Sequence, residues 1–410
     1  MTRGSDISGF YRLSQEERIR VIADFLGLKR EEIPLPHPPP PLPLENSVGY
    51  FPVNLGIANY FLIDGKDYFV PMATEEPSVV AAASHGAKIA RAGGGFKTYV
   101  GEQLMLSQVV ITEAKRELDI AQLTDVVSKV ADSQMPSVVA AGGGFRGIES
   151  EKKGKFLVIK LWIDPADSMG ANTLDRVAET LAPLFEEATG GKALLRILSN
   201  RVTRRIARAE VAIPAEAVGG SDVAGRIAEA SEFAELDEDR AVTHNKGIMN
   251  GVTALALATG NDTRALEAAA HSYAAKDGKY SPLSTWKFDG DKLAGRIELP
   301  VPVGVVGGSV KSNEVAAFCL RLLRVSKASE LGRVMAAVGL AQNLAALMAL
   351  VTEGIQKGHM RLAARTIAVA AGAQGQLVDI VADELIKRGQ IRVDVAKKIL
   401  ESMNQGKRDA

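Results

Sequence analysis

The sequence predicts an α+β protein of two or three domains, and three observations carry this prediction. The chain has 410 residues, more than one hydrophobic core usually organises. Residues 102–200 combine strand-like runs at 107–112, 156–163 and 193–198 with an amphipathic helix at 174–188, a mixture typical of a small α+β domain. Residues 201–353 have a mostly helical pattern, with one strand-like run near 296–303.

The N-terminal part of the chain begins with a predicted helix and a proline-rich segment. Ser14 is placed to cap a helix over 14–28, whose apolar residues recur on one face. Residues 34–43 contain seven prolines among ten residues, which predicts an extended polyproline stretch because proline fixes the backbone and lacks a donor. This stretch is interpreted as a stiff connector, with a partner-binding role as the alternative.

A hairpin and an alanine-rich helix are predicted to follow the proline-rich segment. Aromatic and aliphatic runs over 60–71 flank a polar turn at 64–67, a pattern typical of a β-hairpin. Residues 78–92 are predicted to form a helix that stops at Gly93. At the other end of the chain, two or three helices joined at Gly372 and Gly389 could move as a unit.

The composition argues against several classes of protein. The chain carries 49 basic and 49 acidic residues, so it lacks the charge excess expected of a nucleic-acid-binding protein. The only cysteine is Cys319, and the five histidines have no spacing typical of a metal site. The N-terminus has no apolar signal, and the apolar stretch 340–351 is too short to span a bilayer. We therefore expect a cytoplasmic protein without a metal, a nucleic-acid partner or a membrane anchor.

Two polar segments precede predicted helices and could carry chemistry. At 74–78, Glu75 and Glu76 lie just before a helix, where acids often only stabilise the helix dipole; a carboxyl beside an apolar helix could also donate a proton. At 167–172, Gly170 permits a close approach to the backbone, and the following helix could bind a pyrophosphate through its first amides. The alternative is a plain capped loop, and the Rossmann fingerprint is absent.

Two further segments contain a lysine, an aspartate and a histidine. Lys246 and Asp262 are predicted to lie in polar loops flanking the apolar run 252–258. A lysine among glycines and asparagines could stabilise an oxyanion, and a nearby carboxylate would keep it charged. His359 opens the helical tail. A lone histidine is more often structural, but on a closing flap it could protonate a leaving group.

Taken together and in this order, these segments resemble the hydroxymethylglutaryl-CoA (HMG-CoA) reductase family in its soluble, class II form. The resemblance runs from about Gly9 to the C-terminal helices and covers nearly the whole chain. The segments that carry it are ENSVG at 45–49, EEPS at 75–78, DSMGAN at 167–172, HNKGIMNG at 244–251, ATGND at 258–262 and EGIQKGHM at 353–360.

The resemblance implies an enzyme that converts HMG-CoA to mevalonate and CoA by two successive hydride transfers from a nicotinamide cofactor. It implies four catalytic residues: Glu76 as an acid, Lys246 as the oxyanion-stabilising cation, Asp262 as the aspartate that links them, and His359 as the acid for the departing thiolate. The substrate-binding residues that it implies are Arg240, Ser78 and Asn250. The residues expected to bind the cofactor are Asp167, Met169, Gly170, Ala171, Asn172 and Met135.

The family's cofactor preference depends on one position. In members that use NAD, an acidic residue seven positions before the glycine triplet binds the ribose; here that position is Met135. Methionine would not repel a 2′-phosphate, which favours NADPH or dual use over NADH alone.

The resemblance also implies the domain organisation and the assembly. The large substrate-binding domain is expected at 1–101 and 201–353, interrupted by a ferredoxin-like cofactor domain at 102–200. Residues 354–410 are expected to form a helical flap. The expected assembly is a homodimer or a higher homo-oligomer with the active site at the subunit interface.

Two other classes of protein are compatible with parts of the sequence. A CoA-ester lyase or acyltransferase would explain the acid, the lysine and the histidine, but not the loop at 167–172. A scaffold protein would make the proline-rich segment the functional part, but it would not require the four catalytic residue types.

Overall fold

The computed structural model describes residues 6–33, 52–307, 310, 313–352 and 354–406. The predicted polyproline stretch at 34–43 lies outside these residues. Helix α1 (Gln15–Leu26) begins at Ser14, whose hydroxyl accepts from the Glu17 amide at 3.3 Å while the Glu17 carboxylate accepts from the Ser14 amide at 2.7 Å. This capping box satisfies two amides that the helix cannot pair by itself, and it confirms the predicted helix start.

The predicted hairpin and the alanine-rich helix are also confirmed. Strands β1 (Asn54–Ile63) and β2 (Lys66–Thr74) pair antiparallel around the short turn at Asp64 and Gly65. Helix α2 (Val79–Ala92) follows at once and packs its alanine face into the main core. The residues between β2 and α2, among them Glu76, are therefore fixed at the start of a buried helix.

The small unit is built on a βαββαβ order. It consists of β3 (Lys97–Thr112), α3 (Ile120–Ser133), the short α4 (Pro136–Ala140), β4 (Gly144–Lys153), β5 (Phe156–Asp164), α5 (Ala171–Thr189) and β6 (Lys192–Leu198). The strands are antiparallel in the order β4-β5-β3-β6. This is the ferredoxin-like arrangement that the resemblance implied. Its own core runs from Met105 to Val202, with Ala269 as the single addition from outside.

Strand β3 connects the small unit to the rest of the molecule. Its second half pairs with β5 and β6, whereas its first half pairs with β7 (Arg204–Pro214). The sheet continues from β7 through β9 (Lys292–Pro300) to β8 (Ser284–Phe288). The expectation that 201–353 is mostly helical missed β7. This strand is rich in arginine and alanine, which favour helices, and only its alternating burial reveals the strand.

The large unit places its helices around one long central helix. These are α6 (Ser221–Leu236), α7 (Glu238–Ala258), α8 (Thr263–Ala274), α9 (Glu314–Leu323) and the central α10 (Ala328–Val351). A Cβ on Gly86 of α2 would lie 2.0 Å from the Ala341 carbonyl of α10. Only glycine therefore permits this crossing. The close packing aligns α2 with α7 around the predicted site.

Helix α10 is longer than the apolar stretch predicted at 340–351. Within the described residues it is the helix that is long and apolar enough to cross a bilayer, yet 78% of its most apolar window is buried inside the protein. A core helix of a soluble protein passes the same test, because such a helix is apolar on all sides.

The tail forms a separate helical unit. It contains α11 (Ile355–Ala370), α12 (Leu377–Lys387) and α13 (Val393–Gly406), with a core that includes Ala364, Val381, Leu385 and Ile399. Gly372 and Gly389 have φ angles of 102° and 63°, so both predicted joints use the left-handed region that glycine tolerates. The division into three domains stays a prediction, which these separate cores support.

Candidate active site

Glu76 and Lys246 meet at the mouth of a cleft. The Lys246 Nζ lies 3.2 Å from Oε2 of Glu76. Glu76 comes from the turn before α2, and Lys246 projects from the middle of α7. The side chains are 35% and 63% exposed, respectively. The pair is thus accessible from solvent, as groups that act on a substrate must be.

The cleft has a volume of about 470 Å³, and its walls are a mixture of polar and apolar side chains. It is formed by the end of β2, the start of α2, the middle of α7 and the first turns of α8. The predicted substrate residue Asn250 lines it. The walls are contributed by Ala73, Thr74, Glu75, Glu76, Val79, Asn250, Thr253, Ala254, Leu257, Thr263, Arg264 and Glu267.

Lys246 lies in a helix rather than in the polar loop that the sequence pattern suggested. Helix α7 begins at Asp237, whose carboxylate accepts from the Arg240 amide at 2.7 Å, and it continues through Lys246 to Ala258. The sequence pattern suggested a loop because this helix contains polar residues, two of which are buried and make tertiary contacts, although Nδ1 of His244 has no hydrogen-bond partner among the described residues. Asn245 donates to the Ser281 carbonyl and accepts from the Leu283 amide, and His244 lies 2.7 Å from the Ser284 hydroxyl.

Asp262 lies at the edge of the same cleft and caps α8. Its carboxylate accepts from the amides of Arg264 and Ala265 at 2.9 and 3.2 Å and pairs with the Arg264 guanidinium at 3.1 Å. The neighbouring Thr263 and Arg264 line the cleft. Among the described contacts, the Asp262 carboxylate makes none with Lys246. The structure therefore brings two of the four predicted catalytic residues, Glu76 and Lys246, into contact, and Asp262 directly precedes two residues that line the cleft.

The fourth predicted residue, His359, lies in α11 near the start of the tail. The side chains of 355–359 are outside the described residues. The contacts that define the cleft therefore do not include His359.

The predicted substrate residues Arg240 and Ser78 do not line the cleft. Arg240 lies in the first turns of α7 and is half-buried, and this burial lowers the pKa of its guanidinium. It forms no ion pair within the described part of the chain. Ser78 has a φ of 80° and lines a second, larger cavity of about 1050 Å³.

The larger cavity is a feature that sequence reasoning missed. It lies between α1, β1 and the exposed side of α2, and its wall is apolar with several basic side chains. Arg12, Arg18, His85 and Lys88 line it. Burial and the nearby Lys88 lower the pKa of His85. A signal existed in the sequence: His85 and Lys88 are three positions apart in an otherwise alanine-rich helix and so share one face.

The loop predicted to bind the dinucleotide leads into α5. Gly170 precedes the helix with a φ of 100°, no side chain caps the first turn, and Ala171 begins the helix. Asn172 is exposed. The first amides of α5 therefore remain available to an anion.

The other residues of this loop have structural contacts. The Asp167 carboxylate accepts from the Ala328 amide at 2.9 Å and so supports the start of α10. Met169 is half-buried. The guanidinium of Arg205, which sequence reasoning also missed, lies under the loop and donates to the Met169 carbonyl at 3.3 Å. Nothing local in the sequence marked Arg205, because its partners are contributed by distant segments.

Met135 does not face a ligand in this structure. Its side chain is 1% exposed and packs in the core of the small unit. A side chain at that depth cannot reach a ribose unless the core rearranges. The exposed residues within two positions of Met135 are Ser133, Pro136 and Ser137. This burial does not support a direct contact of the Met135 side chain with a cofactor.

Among the described residues, no group of three or more histidines, cysteines, aspartates or glutamates could hold a metal ion. Cys319 is buried, and its burial raises the pKa of its thiol to about 12. The thiol is therefore not a reactive nucleophile at neutral pH.

Comparison with known proteins defines the family. The family model described as hydroxymethylglutaryl-coenzyme A reductase matches residues 41–364. The 3-hydroxy-3-methylglutaryl-coenzyme A reductase of Archaeoglobus fulgidus is 47% identical over 97% of this chain and 95% of its own length. A probable reductase of the same name from Borreliella burgdorferi is 37% identical over 88% of this chain and 86% of its own length.

Solved structures from Streptococcus pneumoniae have the same fold. One structure of its 3-hydroxy-3-methylglutaryl-coenzyme A reductase has a TM-score of 0.77 and 36% identity, covering 97% of this chain and 99% of that chain. Another, described as the class II enzyme bound to NADPH in open conformations, has a TM-score of 0.72 and 39% identity, covering 88% and 91%.

Agreement over nearly the whole length defines the class of protein, an oxidoreductase that uses a nicotinamide cofactor on a CoA thioester. The chain belongs to the hydroxymethylglutaryl-coenzyme A reductase family, and its reaction is the reductive conversion of HMG-CoA to mevalonate. The predicted family, fold class and activity are confirmed.

Proposed function

We propose that the reduction takes place in the cleft between α2, α7 and α8, with Lys246 and Glu76 as its central groups. The observation that carries this proposal is the 3.2 Å contact between the two side chains at the cleft mouth. A carboxyl and an ammonium in contact supply what reduction of a carbonyl needs: a cation for the developing alkoxide and a proton donor to quench it.

Lys246 stabilises the oxyanion in both steps. Two reduced nicotinamide cofactors, bound one after the other, would supply the hydrides, one for each reduction. When the thioester carbonyl becomes tetrahedral, its oxygen carries a full negative charge, and the Lys246 ammonium is the cation that contacts Glu76 at the cleft. A preorganised donor of this kind contributes roughly 3–4 kcal/mol in other enzymes. In the second reduction, Glu76 gives its proton to the alkoxide that becomes the primary alcohol of mevalonate.

His359 and Asp262 complete the proposed set of four catalytic residues. CoA leaves as a thiolate, and because a free thiol has a pKa of about 8.5, protonation by the His359 imidazole prevents its return to the aldehyde. Asp262 acts together with Lys246 and Glu76. In the described contacts its carboxylate is engaged by Arg264, so this role requires the carboxylate to turn toward Lys246 when substrate fills the cleft.

The substrate occupies both cavities. Ser78 borders the larger cavity, and Glu76, two residues earlier, borders the cleft. The pantetheine arm is long and weakly polar, and the phosphates of CoA are anionic. They match an apolar cavity with Lys88 and His85 in its wall. Asn250 contacts the hydroxymethylglutaryl group, and Arg240 binds its free carboxylate because it is a half-buried cation without an ion pair in the described structure.

The loop before α5 holds the dinucleotide. Its residues fit such a group, since the uncapped first turn of α5 presents free amides to the pyrophosphate. Asp167, Met169 and Gly170 lie in the loop, and Ala171 and Asn172 form the start of α5. Asp167 supports the loop through its contact with the Ala328 amide.

NADPH is the preferred cofactor in this proposal. Arg146 follows the glycine triplet and donates to the Gly142 carbonyl at 2.7 Å. The nearby Asp132 carboxylate is engaged by the Phe145 amide at 2.8 Å. A cation beside the triplet and a carboxylate turned inward favour a 2′-phosphate over a bare ribose.

We further propose the predicted assembly and location. Residues 354–410 act as a flap, two or more subunits share the active site at their interface, and the enzyme is cytoplasmic. Helix α10, the long apolar helix of the described residues, is buried in the large core.

The test is the absorbance of reduced nicotinamide after HMG-CoA is added to the purified protein, with CoA-thiol release followed in parallel. The proposal expects two reduced cofactors consumed for each CoA released, and NADPH used faster than NADH. A CoA-ester lyase or acyltransferase would release CoA or transfer its acyl group without consuming either cofactor.

A further inference from the structure

Arg205 is a fully buried cation directly beneath the proposed dinucleotide loop. It lies on β7, and its side chain is 0% exposed. Its guanidinium donates to the carbonyls of Ser168 and Met169 at 3.2 and 3.3 Å and to that of Ala166 at 3.4 Å. Three of four successive loop residues are thus held by one side chain.

No carboxylate pairs with Arg205 within the described residues. Burial lowers the pKa of its guanidinium to about 10, so it is still charged at neutral pH. A buried charge is costly unless hydrogen bonds replace its hydration. Here the replacements are five acceptors for the five donors of the planar guanidinium. They are the carbonyls of Ala166, Ser168, Met169 and Val303 and the side-chain oxygen of Gln103. The residue therefore shapes the backbone rather than neutralising an acid.

The loop is held from a second side by residues 303–306. The same guanidinium donates to the Val303 carbonyl at 2.8 Å, and the Val305 amide donates to the Asp167 carbonyl at 2.9 Å. A Cβ on Gly304 would lie 2.5 Å from the Met169 nitrogen, so only glycine fits against the loop here. The Gly304 amide donates at 2.8 Å to the side chain of Asn261, the residue before Asp262.

We propose that Arg205 is a positioning residue for cofactor binding. It draws the carbonyls of 166–169 inward and thereby sets the backbone that leads into α5, whose free amides then face the pyrophosphate. This inference rests on the proposed function of the loop. Gly304 acts on the same backbone from the opposite side. A displacement of about 1 Å in such a backbone can weaken function by up to about a hundredfold.

The test compares Arg205→Lys and Gly304→Ala with the wild-type enzyme. Lysine keeps the charge but loses the planar donors, and alanine pushes on the Met169 amide while leaving Arg205 in place. For both variants we expect the dissociation constant for NADPH to rise roughly tenfold or more, with that for HMG-CoA within about twofold and kcat at saturating NADPH nearly unchanged. Arg208→Lys is the matched control, because Arg208 is on the same strand but pairs with Glu298 at the surface.

A merely structural role would lower the melting temperature without selective loss of NADPH affinity, and this result would overturn the proposal. If Arg205→Lys does not fold, Gly304→Ala decides the question in the same way. Equal losses of affinity for NADPH and HMG-CoA would also contradict it.

A third variant separates this inference from the function on which it rests. Asn172→Asp places a negative charge in the exposed first turn of α5, where it favours the helix but repels a pyrophosphate. Unchanged NADPH affinity in Asn172→Asp would show that the cofactor does not bind at this loop. Weakened affinity in Asn172→Asp together with normal affinity in Arg205→Lys would overturn only the positioning role.

Discussion

The Lys246 ammonium contacts the Glu76 carboxylate although the two residues are 170 positions apart in the sequence. The contact exists because α2 and α7 both pack on the central helix α10, with Gly86 permitting the close crossing of α2. Both side chains are partly exposed, so the contact adds little stability: exposed pairs contribute about 0–1 kcal/mol. The pair is therefore a candidate for the reaction rather than a stabilising contact.

Replacing Lys246 by alanine is expected to lower turnover at least a hundredfold, since the oxyanion loses its cation. The free energy of unfolding should change by less than about 1 kcal/mol. Steady-state rates and denaturant titration measure the two effects. Lys287→Ala, at an exposed position of β8, is the control. Near-normal turnover in Lys246→Ala would remove this residue from the oxyanion role.

Two substitutions at Asp262 separate its capping role from its charge. Asparagine caps a helix about as well as aspartate, whereas alanine costs about 1 kcal/mol. Asp262→Asn is therefore expected to keep the stability of the wild type but to lose most of its activity, and Asp262→Ala to lose both. If Asp262→Asn were fully active, the carboxylate would serve only as the cap of α8 that the structure describes.

His359→Gln is expected to slow the reduction of HMG-CoA far more than the reduction of free mevaldehyde. Only the thioester releases a thiolate that needs a proton. The measurement is kcat for each of the two substrates with the same cofactor. Equal losses on both would contradict the assignment of His359 to the leaving group.

Met135→Asp is expected to destabilise the protein by roughly 3 kcal/mol, because it places a carboxyl in the core of the small unit. Arg146→Ala is the informative change for cofactor preference and should lower the ratio of NADPH to NADH activity. Thermal unfolding and parallel assays with the two cofactors measure these effects. A stable Met135→Asp enzyme that prefers NADH would show that this side chain turns toward the cofactor.

Stability is expected to fall in acid because of His244. Burial lowers the pKa of this histidine from 6.5 to about 4, and the nearby Arg240 contributes to the shift. The unfolded chain binds the proton near pH 6.5 and the folded chain only near pH 4, so this contribution is complete above pH 6.5 and is lost as the pH falls toward 4. The loss amounts to about 3 kcal/mol. Denaturant titrations across this range measure it, and the same decline in His244→Gln would assign the acid sensitivity to other groups.

The elements predicted correctly from the sequence are those with local causes. Ser14 and Glu17 cap α1 through their own backbone, and the glycines of the tail adopt a conformation that other residues avoid. The βαββαβ order could be predicted because the resemblance covered the whole chain. The four catalytic candidates were likewise recognised as a set, not from any single segment.

The features that could not be predicted depend on tertiary contacts. Strand β7 has the composition of a helix, and its partners are residues far away in the sequence. Lys246 was assigned to a loop because the polar residues beside it find their partners across the fold. The Met135 side chain was predicted to face the cofactor from its position along the sequence, but it is buried. A count along the sequence contains no information about burial. Arg205 was missed for the same reason.

The most direct test of the account is the stoichiometry of cofactor oxidation in the wild type and in Lys246→Ala and Glu76→Gln. The account predicts that the wild type oxidises two reduced nicotinamides for each mevalonate that it forms. Either variant should oxidise almost no cofactor in the same time, while all three proteins bind HMG-CoA. If both variants consumed the cofactor at the rate of the wild type, the pair at the cleft mouth would not be the reacting centre.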